Sequence, residues 1–271
     1  MEQFYSILRQ CAVSIKYGVV VLAVGFLLFA LMEKKWMLRP HHKPWRATLL
    51  DLQYAFLAML YPPFIYFILS AFFAGLALGI TGVPHDSHIQ PLRFAAQFLI
   101  LLLVRDCLIY IRHRIFHLRP VWVFHSIHHS SEEVNWISAV RFHPFKKGIE
   151  AVGEILLFLA CTNLGFDPAV LSAGSLVIGF YNFFIHSNLR WTFGPLRYVL
   201  VSPVFHRWHH SDLPAAADKN FAAMFSFLDL AGRTFYMPDD SRPHTAGLSA
   251  EEKAVHPRTL LGQILYPFRK R

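Results

Sequence analysis

Long apolar runs constrain this chain more than any other feature. A helix needs about 20 apolar residues to cross the hydrocarbon core of a bilayer. The stretches Cys11 to Met32 and Leu92 to Ile111 meet that length. The run from Leu49 to Ile80 is too long for one straight crossing, and Pro62-Pro63 must bend or break it. That predicts a span over about 63–80 preceded by an interfacial helix, with a re-entrant hairpin as the alternative. Two further runs, Ile149 to Gly165 and Pro168 to Phe184, are joined by a tight Asn163-to-Asp167 turn. With 55% hydrophobic and only 16% charged residues, the composition is that of a membrane protein. The expected fold is all-α and integral to the membrane, with about four to five transmembrane helices. The first run lacks a small-residue cleavage signature and ends in Glu33-Lys34-Lys35, so it reads as a retained span.

Charge assigns the sides. Residues 33–48 carry five Lys or Arg, residues 112–147 carry six, and the chain after His186 carries eleven. The connection 81–90 carries none. The positive-inside rule places the three basic regions in the cytoplasm and, with five spans, the N-terminus outside. The net charge of +9 fits basic flanks meeting anionic headgroups. No basic run interleaved with aromatics suggests nucleic acid. Cys11, Cys107 and Cys161 all lie in apolar stretches and form no C-x-x-C pair, which argues against a disulfide framework, zinc ribbon or iron–sulfur cluster.

Ten histidines fall between His113 and His210. His113 and His117 read H-x-x-x-H; His125, His128, His129 and then His206, His209, His210 read H-x-x-H-H; His143 and His186 stand alone. Neutral imidazole is the commonest transition-metal ligand. Helix positions i, i+3 and i+4 share a face, while adjacent residues point about 100° apart. Each triplet can therefore aim three rings at one side, and a pair such as His128 and His129 can serve two neighbouring ions. So many nitrogens are too many for one ion and suit two. All ten fall at or beyond the cytoplasmic ends of spans, a result reached independently of the charge argument. A cytoplasmic helical cap carrying a dimetal site is the expectation.

A lone buried histidine is usually a hydrogen-bonded core residue. The repeated clusters outweigh that reading, whereas the isolated His41, His42, His85, His88, His244 and His256 keep it. His143 reads equally as a ligand or as a neighbour of ligands, and His186 reads as a ligand. Asp106, Tyr110, His113 and His117 form one helical stripe. Asp106 and Tyr110 could orient metal-bound imidazoles, or Asp106 could simply pair with Arg105. Imidazole alone does not select among zinc, copper, iron and nickel. The paired Glu-x-x-His motifs of soluble di-iron bundles are absent.

The segment Asp106 to His117 resembles the first histidine box of the fatty acid hydroxylase / sterol desaturase superfamily. His125 to Trp136, including Glu132 and Asn135, resembles its second box, and Ala139 to Pro144 continues the match. His186-Ser-Asn188 and Phe205 to Ser211 are similar to the later boxes, and Asp218 to Phe221 and the stretch to Asp229 to bacterial members. The resemblance covers roughly residues 92 to 240. It implies two iron ions (zinc in a purified or inactive form) that activate O2 to oxidise a C–H bond of a lipid. It implies His113, His117, His125, His128, His129, His186, His206, His209 and His210 as ligands and His143 as a further metal-site histidine. Asp106, Tyr110, Glu132, Asn135 and Asn188 are then the polar residues expected around them.

The expected organisation is N-terminal membrane helices over 1–91, a histidine-box domain over 92–240, and a tail over 241–271. The tail is expected to be a loop from Asp239 to His256. An amphipathic helix from Arg258 to Arg271 follows, lying on the membrane or packed on the protein. Hydroxylation consumes two external electrons. No dinucleotide loop, haem motif or ferredoxin cysteine spacing is present, so a separate donor (ferredoxin, cytochrome b5-like protein or reductase) is implied. The expected partners are thus lipid, membrane and donor, without nucleic acid. A bacterial inner membrane, or endoplasmic reticulum in a eukaryote, is the expected location. Desaturation or sterol methyl oxidation is the alternative within the superfamily. A histidine-rich metal transporter or a non-catalytic metal-binding protein is the alternative outside it.

Overall fold

The computed structural model describes residues 2–40, 43–61, 89, 92–238, 243 and 245–269, with backbone only for 2–8 and 10. The architecture is helical, with one isolated antiparallel bridge between Met37 and Leu189 among the described residues. Helix α1 is Glu2–Trp36, and α2 is helical over 45–61. Then come α3 (Phe94–Phe116), α4 (Arg119–His129), a 3-10 turn (Trp136–Val140), α5 (Pro144–Asn163) and α6 (Pro168–His186). Among the described residues four short α-helices follow: α7 (Pro203–His209), α8 (Phe227–Ala231), α9 (Ala250–Val255) and α10 (Leu260–Leu265).

Among the described residues, three helices are long and apolar enough to cross a membrane: Cys11–Trp36 of α1, α3 and α6. Their outward faces keep large apolar side chains exposed, including Leu27 and Leu31 on α1, Leu99 on α3 and Leu176 on α6. Contiguous apolar exposure of this kind is what lipid contact requires. The expected span over 63–80 lies outside the described residues. The expected fourth span forms as α5, yet it is not apolar enough. Lys146, Lys147 and Glu150 lie in its first half, and Glu154 sits mid-helix.

The turn between α5 and α6 has a physical cause in its sequence. Gly165 adopts φ 81°, and its N–H donates to the Thr162 carbonyl while that of Phe166 donates to the Cys161 carbonyl. This crossed pair is the glycine C-cap that closes a helix. Phe166 and Cys161 are buried together with Leu101, Val170 and Leu171, so the cap also seals the end of the α3–α5–α6 packing. Asp167 then caps α6 by accepting from the Ala169 N–H. Gln97 of α3 ties in the same corner by accepting the Asp167 N–H at 2.9 Å.

At the opposite end, α3 and α4 form a hairpin with only His117 and Leu118 between them. The chain leaving α1 is stitched to the chain leaving α6: the Leu38 N–H donates to the Asn188 carbonyl and the Arg190 N–H to the Trp36 carbonyl. Phe29 stacks on Trp136 at 5.7 Å. A core of Ile185, Val201, Val204, Phe205 and Trp208 packs α7 beneath the end of α6.

The tail differs from expectation in two ways. Within the expected loop, Ser249 and Glu252 form a reciprocal capping box that starts α9. The closing helix is short because Pro267 follows it and only a 3-10 turn continues. It packs on the protein: buried Gln263 accepts from the Tyr54 hydroxyl and donates to Ser130.

Candidate metal centre

Four helix ends bring imidazoles to one place. His113 and His117 come from the end of α3, and His125, His128 and His129 from the last five residues of α4. His186 is the last residue of α6, and His206, His209 and His210 lie on and just after α7. Ser202 and Pro203 start α7 sharply, the Ser202 hydroxyl accepting the Phe205 N–H, so three histidines fit in little more than one turn.

The rings sort into two groups. His113, His117, His125, His129 and His209 form one, and His128, His186, His206 and His210 the other; within each, the candidate ligand atoms lie within 4.8 Å of one another. Each H-x-x-H-H triplet is divided. In the first, the i, i+4 pair His125/His129 joins the five-membered group and His128 the four-membered one. In the second, His206/His210 joins the four-membered group and His209 the five-membered one. This is the split that adjacent helical residues, about 100° apart, allow.

The nitrogens suit a cation. In the four-membered group, the His186 Nε2 lies 3.1 Å from the His128 Nε2 and 3.0 Å from the His206 Nε2, which is 3.2 Å from the His210 Nε2. The His186 Nδ1 sits 2.7 Å from the Asn182 carbonyl, so it carries the proton and Nε2 presents a lone pair. In the other group, the His113 and His125 Nε2 atoms lie 2.9 Å apart, and the Nε2 atoms of His117, His129 and His209 are buried without a hydrogen-bond partner. Spacings near 3 Å are those of neighbouring ligands on an ion with bonds of about 2.0–2.1 Å. Burial holds His117, His125, His128, His129, His206, His209 and His210 below the ordinary imidazole range. They are therefore neutral near pH 7, the form that ligates metal. The donor set fits two metal ions.

The groups that orient these rings are mostly main chain. His113 Nδ1 donates to the Phe221 carbonyl at 2.8 Å, His209 Nδ1 to the Lys219 carbonyl at 2.8 Å, and His117 Nδ1 to Asp218 at 2.9 Å. Asp218 and Asn220 adopt φ of 54° and 61°, which folds 218–222 into a platform under the rings. Two buried carboxylates hold it and the three residues that follow it. Asp106 accepts the N–H groups of Ala223, Met224 and Phe225, and Asp229 those of Phe221 and Ala222.

This corrects several expectations. His143 joins neither group: its Nδ1 accepts the Phe145 N–H as a helix cap and its Nε2 sits 2.9 Å from the Ile264 carbonyl, so neither nitrogen is available. Asp106 touches no imidazole and no Arg105; it positions the platform instead. The Tyr110 hydroxyl bonds Thr234, which bonds Asp229. Glu132 pairs with Lys253, Asn135 caps the 3-10 turn and accepts from Lys43, and Asn188 bridges the Arg39 carbonyl and Arg207. None of these reaches an imidazole. Of the six isolated histidines, His256 is described; it bonds Ser126 and the Pro257 carbonyl, apart from both groups. The other five lie outside the described residues.

A cavity of about 820 Å³ opens from both groups. His113, His125, His128, His186 and His206 face it at one end. Leu101, Ile155, Phe158, Leu171 and Ile178, from α3, α5 and α6, line its apolar part.

Residues 98–234 match the family model described as fatty acid hydroxylase. An ornithine lipid hydroxylase from Rhizobium tropici is 28% identical over 193 residues, covering 70% of this chain and 56% of that protein. An alkylglycerol monooxygenase from Caenorhabditis elegans is 31% identical over 157 residues, or 57% of this chain and 30% of that protein. A very-long-chain aldehyde decarbonylase from Oryza sativa subsp. indica is 31% identical over 182 residues, or 61% and 28%. The chain thus spans about half the length, or less, of these relatives. No solved structure matches it.

Proposed function

The chain belongs to the fatty acid hydroxylase family, and from that premise we propose that it is a membrane oxygenase that hydroxylates a C–H bond of a lipid. One observation carries the reading: nine imidazoles gather in two groups, and five of them, from both groups, face a cavity walled by apolar helices. That geometry pairs a place for metals with a space for a hydrocarbon chain. The relatives described as lipid-modifying oxygenases support the same reading.

The two ions are iron, held by His113, His117, His125, His129 and His209 on one side and by His128, His186, His206 and His210 on the other. When bound, the iron pair supplies O2 activation. The overall change is one oxygen atom inserted into C–H, with the second reduced to water by two electrons and two protons from outside the chain. The electron donor is a separate redox protein. The protein's own residues do the rest. Carbonyls of Phe221, Lys219 and Asn182 fix the Nδ1–H tautomer of three ligands and turn Nε2 inward. Leu101, Phe158 and Ile178 exclude water from the chain-binding space. Nine nitrogens leave open positions on two ions that take up to about six ligands each. The histidine end lies at the cytoplasmic side, and a bacterial inner membrane is the location we infer.

The test is to express the chain in a bacterial membrane, supply iron, and compare whole-lipid extracts with and without it by mass spectrometry. A lipid that gains one oxygen in an O2-dependent way is the expected result. A lipid that loses two hydrogens instead would make the protein a desaturase. A zinc-loaded protein with no altered lipid would overturn the oxygenase reading.

A further inference from the structure

The apolar cavity contains a ladder of charges that metal binding does not use. Arg105 and Arg112 lie seven residues apart on α3, two turns or ~10 Å along one face. Lys146, Lys147, Glu150 and Glu154 face them from α5, and all six line the cavity. Glu154 bonds Arg105 at 2.7 Å, and Glu150 pairs with Lys146 and with Lys147. Four cations against two carboxylates leave an excess of two positive charges in a cavity with apolar walls. Ionisable groups at membrane depth are costly, and where they persist they usually serve a ligand or a pathway.

Arg112 has donors to spare, and Arg105 keeps one unpartnered donor that is itself buried. Arg112 lies 3.7 Å from Glu154 and makes no hydrogen bond among the described residues. Gly153 lets the guanidinium lie close against α5, since a Cβ there would meet the Arg112 Nη1 at 3.2 Å. Arg105 spends Nη1 on Ser175 and Nη2 on Glu154, while its Nε is buried without a partner. The guanidinium fork matches the two oxygens of a carboxylate or phosphate, and such bonds strengthen out of water.

We propose that this ladder is a binding site for the oxyanion head of an amphiphile, a carboxylate or phosphate, gripped by Arg112 with help from Arg105. The hydrocarbon chain lies along Ile155, Phe158 and Ile178. The assignment rests on reading the cavity as the oxygenase's substrate space, but its test needs no turnover.

Full-length, iron-loaded protein in neutral detergent would be titrated calorimetrically with hexadecanoate, hexadecyl phosphate and hexadecanol. Both anionic probes should bind at least about tenfold tighter than the alcohol, a difference of about 1.4 kcal/mol. R112Q should erase that preference without weakening hexadecanol. E154Q frees both guanidinium groups and should raise the preference, an outcome that a merely structural cross-link between α3 and α5 would not produce. Equal binding of all three probes by the unaltered protein, or equal weakening of all three by R112Q and E154Q, would overturn the proposal. So would inorganic phosphate binding as tightly as hexadecyl phosphate, because the apolar wall would then contribute nothing. Head-group preference without O2-dependent lipid change would leave the site standing and remove the oxygenase reading; turnover without preference would do the reverse.

Discussion

The two histidine groups are built from the same triplets, yet they sit in different surroundings. The five-membered group reaches toward the surface. His113 and His117 are the least buried residues of the group, although the His117 side chain is only 7% exposed, and the Asp218 carboxylate that holds His117 has a 72% exposed side chain. Three of its rings are anchored through Nδ1 to the 218–221 platform. The four-membered group is wholly buried, and of its rings His186 alone has an Nδ1 anchor, a carbonyl one turn earlier on its own helix. One group thus depends on a loop folded from a distant part of the chain, while the other depends on packing of α4, α6 and α7. A shared ligand chemistry does not imply shared lability.

The sharpest way to probe that contrast is to remove a ligand from each side. His128→Ala in the buried group and His209→Ala in the outer group should each abolish lipid oxidation, while membrane insertion, followed by fractionation, stays intact. Normal turnover in either variant would take that residue out of the ligand set. Next in size is Asp106→Ala. It strands one buried and two part-buried N–H groups, at a cost of up to ~1–3 kcal/mol each, and frees the Phe221 carbonyl to drift. Thermal unfolding should shift to markedly lower temperature, and the outer ion should be lost before the inner one. Equal loss of both ions would break the assignment of the platform to the outer group.

Asp218→Ala is smaller. Removing a ligand's hydrogen-bond partner typically weakens metal binding ~10–100-fold, and the loss should be confined to one ion per chain. Chelator challenge of the unaltered protein should accordingly release metal in two phases, with Asp218→Ala accelerating the fast phase. A single phase in both proteins would show that burial does not distinguish the groups. The smallest effects belong to residues that stand near the site without touching a ligand. His143→Ala should cost about 1 kcal/mol of stability through the lost α5 cap and leave metal content unchanged. Glu132→Ala removes a half-exposed ion pair with Lys253 and should shift stability by less than ~1 kcal/mol.

The amino-acid sequence alone determined what depends on near neighbours. Runs of apolar residues gave α1, α3 and α6, because helix length and hydropathy are local properties. The Pro and Gly-Phe-Asp signals around 165–168 marked where α5 stops and α6 starts. Histidine spacing at three and four residues named most of the rings that meet, but it did not separate the two solitary histidines: both were expected at the metal site, and only His186 joins a group. The charges of α5 were also in plain view, but a one-dimensional apolar count hid them, because only the packed bundle turns Glu154 toward Arg105 and Arg112. Tertiary structure decided which ring belongs to which group, since two histidines 100° apart on a helix can be sorted only once both neighbours are in place. It also decided what holds the rings. Asp218 carries a side chain that a motif can display, but the Phe221, Lys219 and Asn182 carbonyls are main chain. Every residue has one, so no choice of amino acid announces it. The role of Asp106 was hidden for the same reason: its partners are three peptide N–H groups more than a hundred residues away, and only the fold brings them within reach.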